Sequence, residues 1–142
     1  MNFFHTFAAI CITAIALSVK AAEPVTQEQI ESEALKHCDR DQLSMNLCSF
    51  HKYKLADAEL NELYKRLLTD LDQPNATRFR KAQRAWLKYI EADCLYQNGP
   101  REESGTIWPM QQNYCRTAHT KQRAELLKGF LACTAENGCP GT

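Results

Sequence analysis

Residues 53–71 read YKLADAELNELYKRLLTDL. Tyr53, Ala56, Leu60, Leu63 and Leu67 recur at steps of three and four, which places them on one side of an α-helix. Tyr64, Leu68 and Leu71 widen the stripe. The pattern extends upstream and predicts a helix from Ser44 to Leu71, about 40 Å long at about 1.5 Å per residue. Asp72-Gln73-Pro74-Asn75 ends it, because proline lacks the amide donor and crowds the preceding turn.

The same reading carries outward to the rest of the chain. Thr26-Gln27-Glu28-Gln29 is a capping-box sequence and opens a helix that ends near Cys38. A third helix is predicted from about Ala76 to Tyr96, with Phe79, Ala82, Trp86, Tyr89, Ile90 and Cys94 inward. Its outer side carries the basic residues Arg80, Arg84 and Lys88. Asn98-Gly99-Pro100 stops it, and a polar loop follows to Pro109. A fourth helix runs from about Pro109 to Leu131, with Cys115, Ala118, Leu126, Leu127 and Phe130 inward. The expected fold is therefore all-α, a small bundle of about four helices in one domain, residues 22–142.

Residues 1–21 read differently. Phe7 to Val19 is apolar apart from Thr13 and Ser18, and it is short for a membrane span. Small residues at Val19 and Ala21 suit a signal-peptidase cut after Ala21. The expectation is a cleaved signal peptide over 1–21, a periplasmic or secreted product and no stable membrane anchor. The full chain holds 17 basic and 17 acidic residues. Lys20 leaves with the leader, so 16 and 17 remain, a net charge of −1. That balance argues against nucleic acid as a partner, since phosphate binding needs a basic excess.

The leader also removes Cys11 and leaves Cys38, Cys48, Cys94, Cys115, Cys133 and Cys139. An even number in a small exported domain reads as disulfides, although six cysteines allow about 15 pairings. Geometry favours neighbours. Cys38 ends one helix and Cys48 opens the next; Cys94 and Cys115 stand in the same relation; Cys133 and Cys139 would close a tail loop. Chain entropy assigns roughly 2.5–3.5 kcal/mol to each closure, the tail least.

No residue pattern points to catalysis, a metal or a cofactor. His37, Cys38, Cys48 and His51 match no common zinc spacing. There is no nucleophile elbow and no phosphate-cradling glycine loop. The expectation is a non-enzymatic binding protein. The polar residues that stand out are Asp57, Asn61 and Tyr64 on the second helix, Gln83 and Trp86 on the third, and Thr120 and Arg123 on the fourth. They read first as a network fixing helix register. A buried Arg123 would need a carboxylate, for which Asp57 and Glu59 are the candidates.

These residues also carry a resemblance. Cys48, the run Ala56-Asp57-Ala58-Glu59-Leu60-Asn61 with Tyr64, the run Ala82-Gln83-Arg84-Ala85-Trp86-Leu87, Cys94, Cys115, and Thr120 and Arg123 leading to Glu125-Leu126 resemble the LprI-like family of exported bacterial domains. The likeness spans about 38–127. The chain has Ser104-Gly105-Thr106 where the family usually shows Gly-Gly-Ser or Gly-Gly-Thr. The family is named for a lipoprotein that inhibits lysozyme, so the resemblance implies a lysozyme-directed inhibitor. Lysozyme cleaves with two carboxylates in a cleft. An inhibitor would offer hydroxyl or cationic groups from a rigid loop, and the candidate inhibitory loop carries Arg101, Ser104, Thr106 and Trp108. The alternative is an envelope or anti-toxin binding protein that meets an acidic partner through Arg80, Arg84 and Lys88; an envelope hydrolase ranks below both.

Mass spectrometry of a non-reduced digest should yield the linked pairs Cys38–Cys48, Cys94–Cys115 and Cys133–Cys139. A crossed link such as Cys38–Cys94 would contradict the helix-hairpin pairing.

Overall fold

The computed structural model describes residues 24–133 and residue 139. The expected signal peptide over 1–21 lies outside the described residues, as do residues 134–138 of the tail. Five α-helices follow in order: α1 (Gln27–Lys36), α2 (Gln42–Asp70), α3 (Gln73–Asn98), the single turn α4 (Arg101–Ser104) and α5 (Trp108–Leu131). A 3₁₀ turn, Gly105–Ile107, joins α4 to α5. The described residues contain no strand, and no helix among them is long and apolar enough to cross a membrane.

The expected bundle of about four helices is instead a bundle of three long helices. Leu60, Leu63 and Leu67 of α2 and Ala124 and Leu127 of α5 form the buried core, with Phe79 and Trp86 of α3 packed against it. The ten-residue α1 contributes nothing to that cluster; it lies on the N-terminal part of α2 and buries Ala34. Disulfide Cys38–Cys48 ties α1 there, with S–S 2.07 Å. Most of α2 lies along α5, and α3 packs on α5, while α2 and α3 have no extensive backbone approach of their own. The last helix is thus the wall that the other two share.

Local chemistry sets where each helix begins. At α1, Thr26 Oγ1 accepts from the Gln29 amide and Gln29 Oε1 accepts from the Thr26 amide, completing the capping box. Asp41 caps α2, which starts at Gln42, two residues before the predicted Ser44, by accepting from the Ser44 amide at 2.7 Å. That amide bond, with help from Arg40 and the Ser44 hydroxyl, holds the Asp41 carboxyl down at about 2. Asp72 caps α3 in the same way, with Pro74 in the first turn, where its missing amide donor costs nothing.

Two of the predicted stripes hold only in part: Phe79, Trp86, Ile90 and Cys94 of α3 and Leu127 and Phe130 of α5 face inward as expected. On α3, Ala82 and Tyr89 are exposed, Tyr89 by 56%, whereas Ala76, Gln83, Ile90 and Cys94 are buried. A glutamine occupies the middle of the buried row, so following apolar residues alone lands one position off. On α5, Ala118 is exposed and Leu126 is 48% exposed. The buried row there is Gln112, Asn113, Thr120, Ala124 and Leu127, and its first half is polar.

Leu127 is fully buried at the centre of the core, and its neighbour Leu126 faces solvent. Urea unfolding of the oxidised protein should show a loss of about 2–5 kcal/mol for Leu127→Ala. Leu126→Ala should fall within about 0.5 kcal/mol of wild type. Similar losses from both would place the core elsewhere.

Candidate binding surface

The connection between α3 and α5, expected as a polar loop, contains the single turn α4 and a 3₁₀ turn. Gly99 and Gly105 adopt positive φ values of 68° and 61°, a region where a side chain would strain the backbone. Gly99 thereby stops α3 while its amide still bonds to Leu95 O. Ser104 Oγ donates to the carbonyls of Asn98 and Pro100 at 2.9 and 3.1 Å. The Trp108 indole N–H donates to Gly99 O at 3.0 Å. Disulfide Cys94–Cys115, with Cα atoms 5.8 Å apart, closes the base, and Gln112 donates to Cys94 O beside it.

These bonds alter the roles expected of the candidate inhibitory residues. The Ser104 hydroxyl and the Trp108 N–H point inward and hold the turn, so neither is a free donor. Arg101 and Thr106 remain exposed. With Asn46, Glu102, Gly105 and Pro109 they line an open recess of about 500 Å³. Asn46 was not singled out by its sequence. Its Nδ2 donates to Thr106 O at 3.0 Å while its Oδ1 accepts from Gln42. The first turns of α2 therefore brace the connection from across the bundle. Deeper along the same interface, Asn113 donates to Ser49 Oγ, and that hydroxyl donates to Asn46 O.

The polar residues of the three long helices do not form one network. Asn61 donates to Asp57 on the same helix at 2.9 Å. Glu59 pairs with Lys128 at 2.6 Å; hydrogen bonds from Lys128 to Glu125 and then Glu59 hold its ammonium above the usual lysine range. Tyr64 stacks on Phe79, with ring centres 5.1 Å apart. Burial, and then the nearby Asp57 charge, push the Tyr53 phenol up, with Arg116 opposing. Thr120 is buried. Arg123, expected to need Asp57 or Glu59, meets neither: its Nε donates to Gln83 Oε1 at 3.0 Å, and its Cζ lies 5.9 Å from the Trp86 ring centre. A half-buried guanidinium is satisfied here by a neutral amide and an aromatic face.

Beside the second disulfide, His119 Nε2 lies 2.8 Å from Asp93 Oδ2, and Tyr89 meets the ring edge-on at 5.6 Å. Cys94, Cys115 and His119 bring their ligand atoms within 4.8 Å of one another. The two sulfurs are bonded to each other, so they offer no thiolate to a metal. The same holds for Cys38 and Cys48 in the set with His37 and His51. On α3, Arg84 and Lys88 are exposed, and Arg80 is half-buried.

The lysozyme inhibitor LprI family matches residues 36–127, which take in α2, α3, α5 as far as Leu127, both inter-helix disulfides and the braced connection. The chain belongs to the LprI lysozyme inhibitor family. A protein of Rhizobium meliloti (strain 1021), described as uncharacterized, is 30% identical over 137 residues, covering 87% of this chain and 96% of its own length. No solved structure matches the chain. The LprI match ends near Leu127, so the third disulfide, Cys133–Cys139, lies beyond it.

The Gln83–Arg123 contact can be weighed directly. A double-mutant cycle on Gln83→Ala and Arg123→Ala, read by urea unfolding, should return a coupling of about 0.5–1.5 kcal/mol. A cycle on Asp57→Ala and Arg123→Ala should return none, and a larger coupling there would reinstate the carboxylate partner.

Proposed function

We propose that this protein is an exported, non-catalytic inhibitor that occludes the cleft of a lysozyme. The observation that carries the reading is the family match across the whole helical core, together with a rigid connection placed at one end of it. Export rests on the apolar leader and on six cysteines in a small domain.

The connection supplies the contact. Its backbone is fixed by inward hydrogen bonds from two side chains, Ser104 and Trp108, by one disulfide and by the Asn46 brace, so little ordering cost falls on binding. Arg101 is the cation on its exposed side, and Thr106 offers a hydroxyl next to it. A lysozyme cleft presents two carboxylates. A charge-assisted bond from Arg101 to one of them, with Thr106 nearby, is the chemistry that this surface fits best. Ser104 and Trp108 act indirectly, by holding the turn that presents those two residues.

The test is the residual activity of a c-type lysozyme titrated with the purified, oxidised protein, with a g-type enzyme and a reduced, alkylated sample beside it. Inhibition should reach completion near one equivalent against the c-type enzyme and vanish on reduction. Arg101→Ala should weaken it by about tenfold or more without lowering stability. Full lysozyme activity at a large molar excess of folded protein would overturn the reading.

A further inference from the structure

Arg123 differs from the ion-paired cations among the described residues. Lys36, Arg40, Lys65 and Lys128 each meet a carboxylate. Among the described residues, no ion pair reaches Arg123; its contacts are the neutral Gln83 amide and the Trp86 ring. It is nevertheless half-buried, and burial lowers its affinity for a proton without removing the charge. Asn98 Nδ2 is the only buried side-chain polar atom without a hydrogen bond among the described residues. The two Nη groups of Arg123 therefore open to solvent and are not sealed in the core.

This arrangement fixes a direction. Gln83 is buried and holds the guanidinium at Nε, and the Trp86 ring centre lies 5.9 Å from its Cζ. What remains is the Nη edge, a fork of parallel donors that matches the two oxygens of a carboxylate. A glutamate at position 83 would have closed this charge internally; glutamine leaves it available to an outside anion. We propose that Arg123 is the anchor of a carboxylate-binding site, with Gln83 and Trp86 as the residues that position it. The site lies about 22 Å along α5 from Trp108, at about 1.5 Å per residue, and so is separate from the braced connection. The carboxylate comes from a free small molecule or from an acidic side chain of a bound protein.

Acetate is the probe for the first source, titrated against chloride at matched ionic strength and read at the Arg123 Nε–H and Trp86 indole N–H NMR signals. A c-type lysozyme is the probe for the second, read as inhibition. Arg123→Gln removes the fork, and Gln83→Glu supplies an internal carboxylate that neutralises the guanidinium from its Nε side without emptying the core. A saturable acetate shift that is absent with chloride and lost in both variants supports the inference with a small-molecule source. No acetate shift, but about tenfold weaker lysozyme inhibition in both folded variants, supports it with a protein source. Identical acetate and chloride responses, with inhibition unchanged in the variants or absent in wild type, overturn it. A saturable acetate response in a protein that does not inhibit lysozyme would leave this site standing and remove the proposed function.

Discussion

The rest of the structure depends on α5 being buried on two sides at once. Leu127 and Ala124 close against Leu60, Leu63 and Leu67 of α2, while Cys115, His119 and Arg123 reach α3. α2 and α3 have little backbone contact of their own, so each keeps its place through α5. Burying an aliphatic side chain such as Leu127 contributes roughly 1.5–3 kcal/mol. A domain with this small a core has few such side chains to spend, and two inter-helix disulfides supplement it by restricting the unfolded chain.

The same constraint builds the candidate surface. α5 starts at Trp108, and the indole of that residue is tied back to Gly99 at the end of α3. Cys115, two turns further on, is bonded to Cys94. The ten residues from Gly99 to Trp108 thus hang between two fixed points, with Asn46 of α2 as a third. Ser104 and the two positive-φ glycines shape what lies between them. Rigidity here follows from where the helices end, and Arg101 and Thr106 are exposed as its consequence.

Much of this was legible in the residues, and what was not has a common cause. The apolar stripe of α2, the capping box at Thr26 and the helix stops at Pro74 and Gly99 read directly, because each rests on a local rule. The neighbouring cysteine pairs followed from helix ends. The buried rows of α3 and α5 read only in part: Ile90, Cys94 and Leu127 follow from the apolar pattern, whereas Gln83, Gln112, Asn113 and Thr120 occupy positions that such a pattern skips. Gln83, Gln112 and Asn113 are each bonded to a partner distant in sequence, so no window of sequence contains the reason for their burial. Helix count misled for a related reason: α1 is a sound helix by its caps, but only packing reveals that it stays outside the core. Asn46 and the Asp93–His119 pair carried no signal at all, as their partners are 60 and 26 residues away.

Membership of the LprI family, a core organised on α5 and a connection braced from three sides are the grounds for proposing recognition by a preformed surface. That is the central claim, and backbone hydrogen exchange tests it most directly. The oxidised protein would be compared free and saturated with a c-type lysozyme. The account predicts that amides of α5 from Thr120 to Leu127 exchange slowest in both states, and that new protection on binding is confined to the segment 99–107 and the adjacent first turn of α2. New protection spread over α1 and the outer side of α3, with none in 99–107, would contradict it.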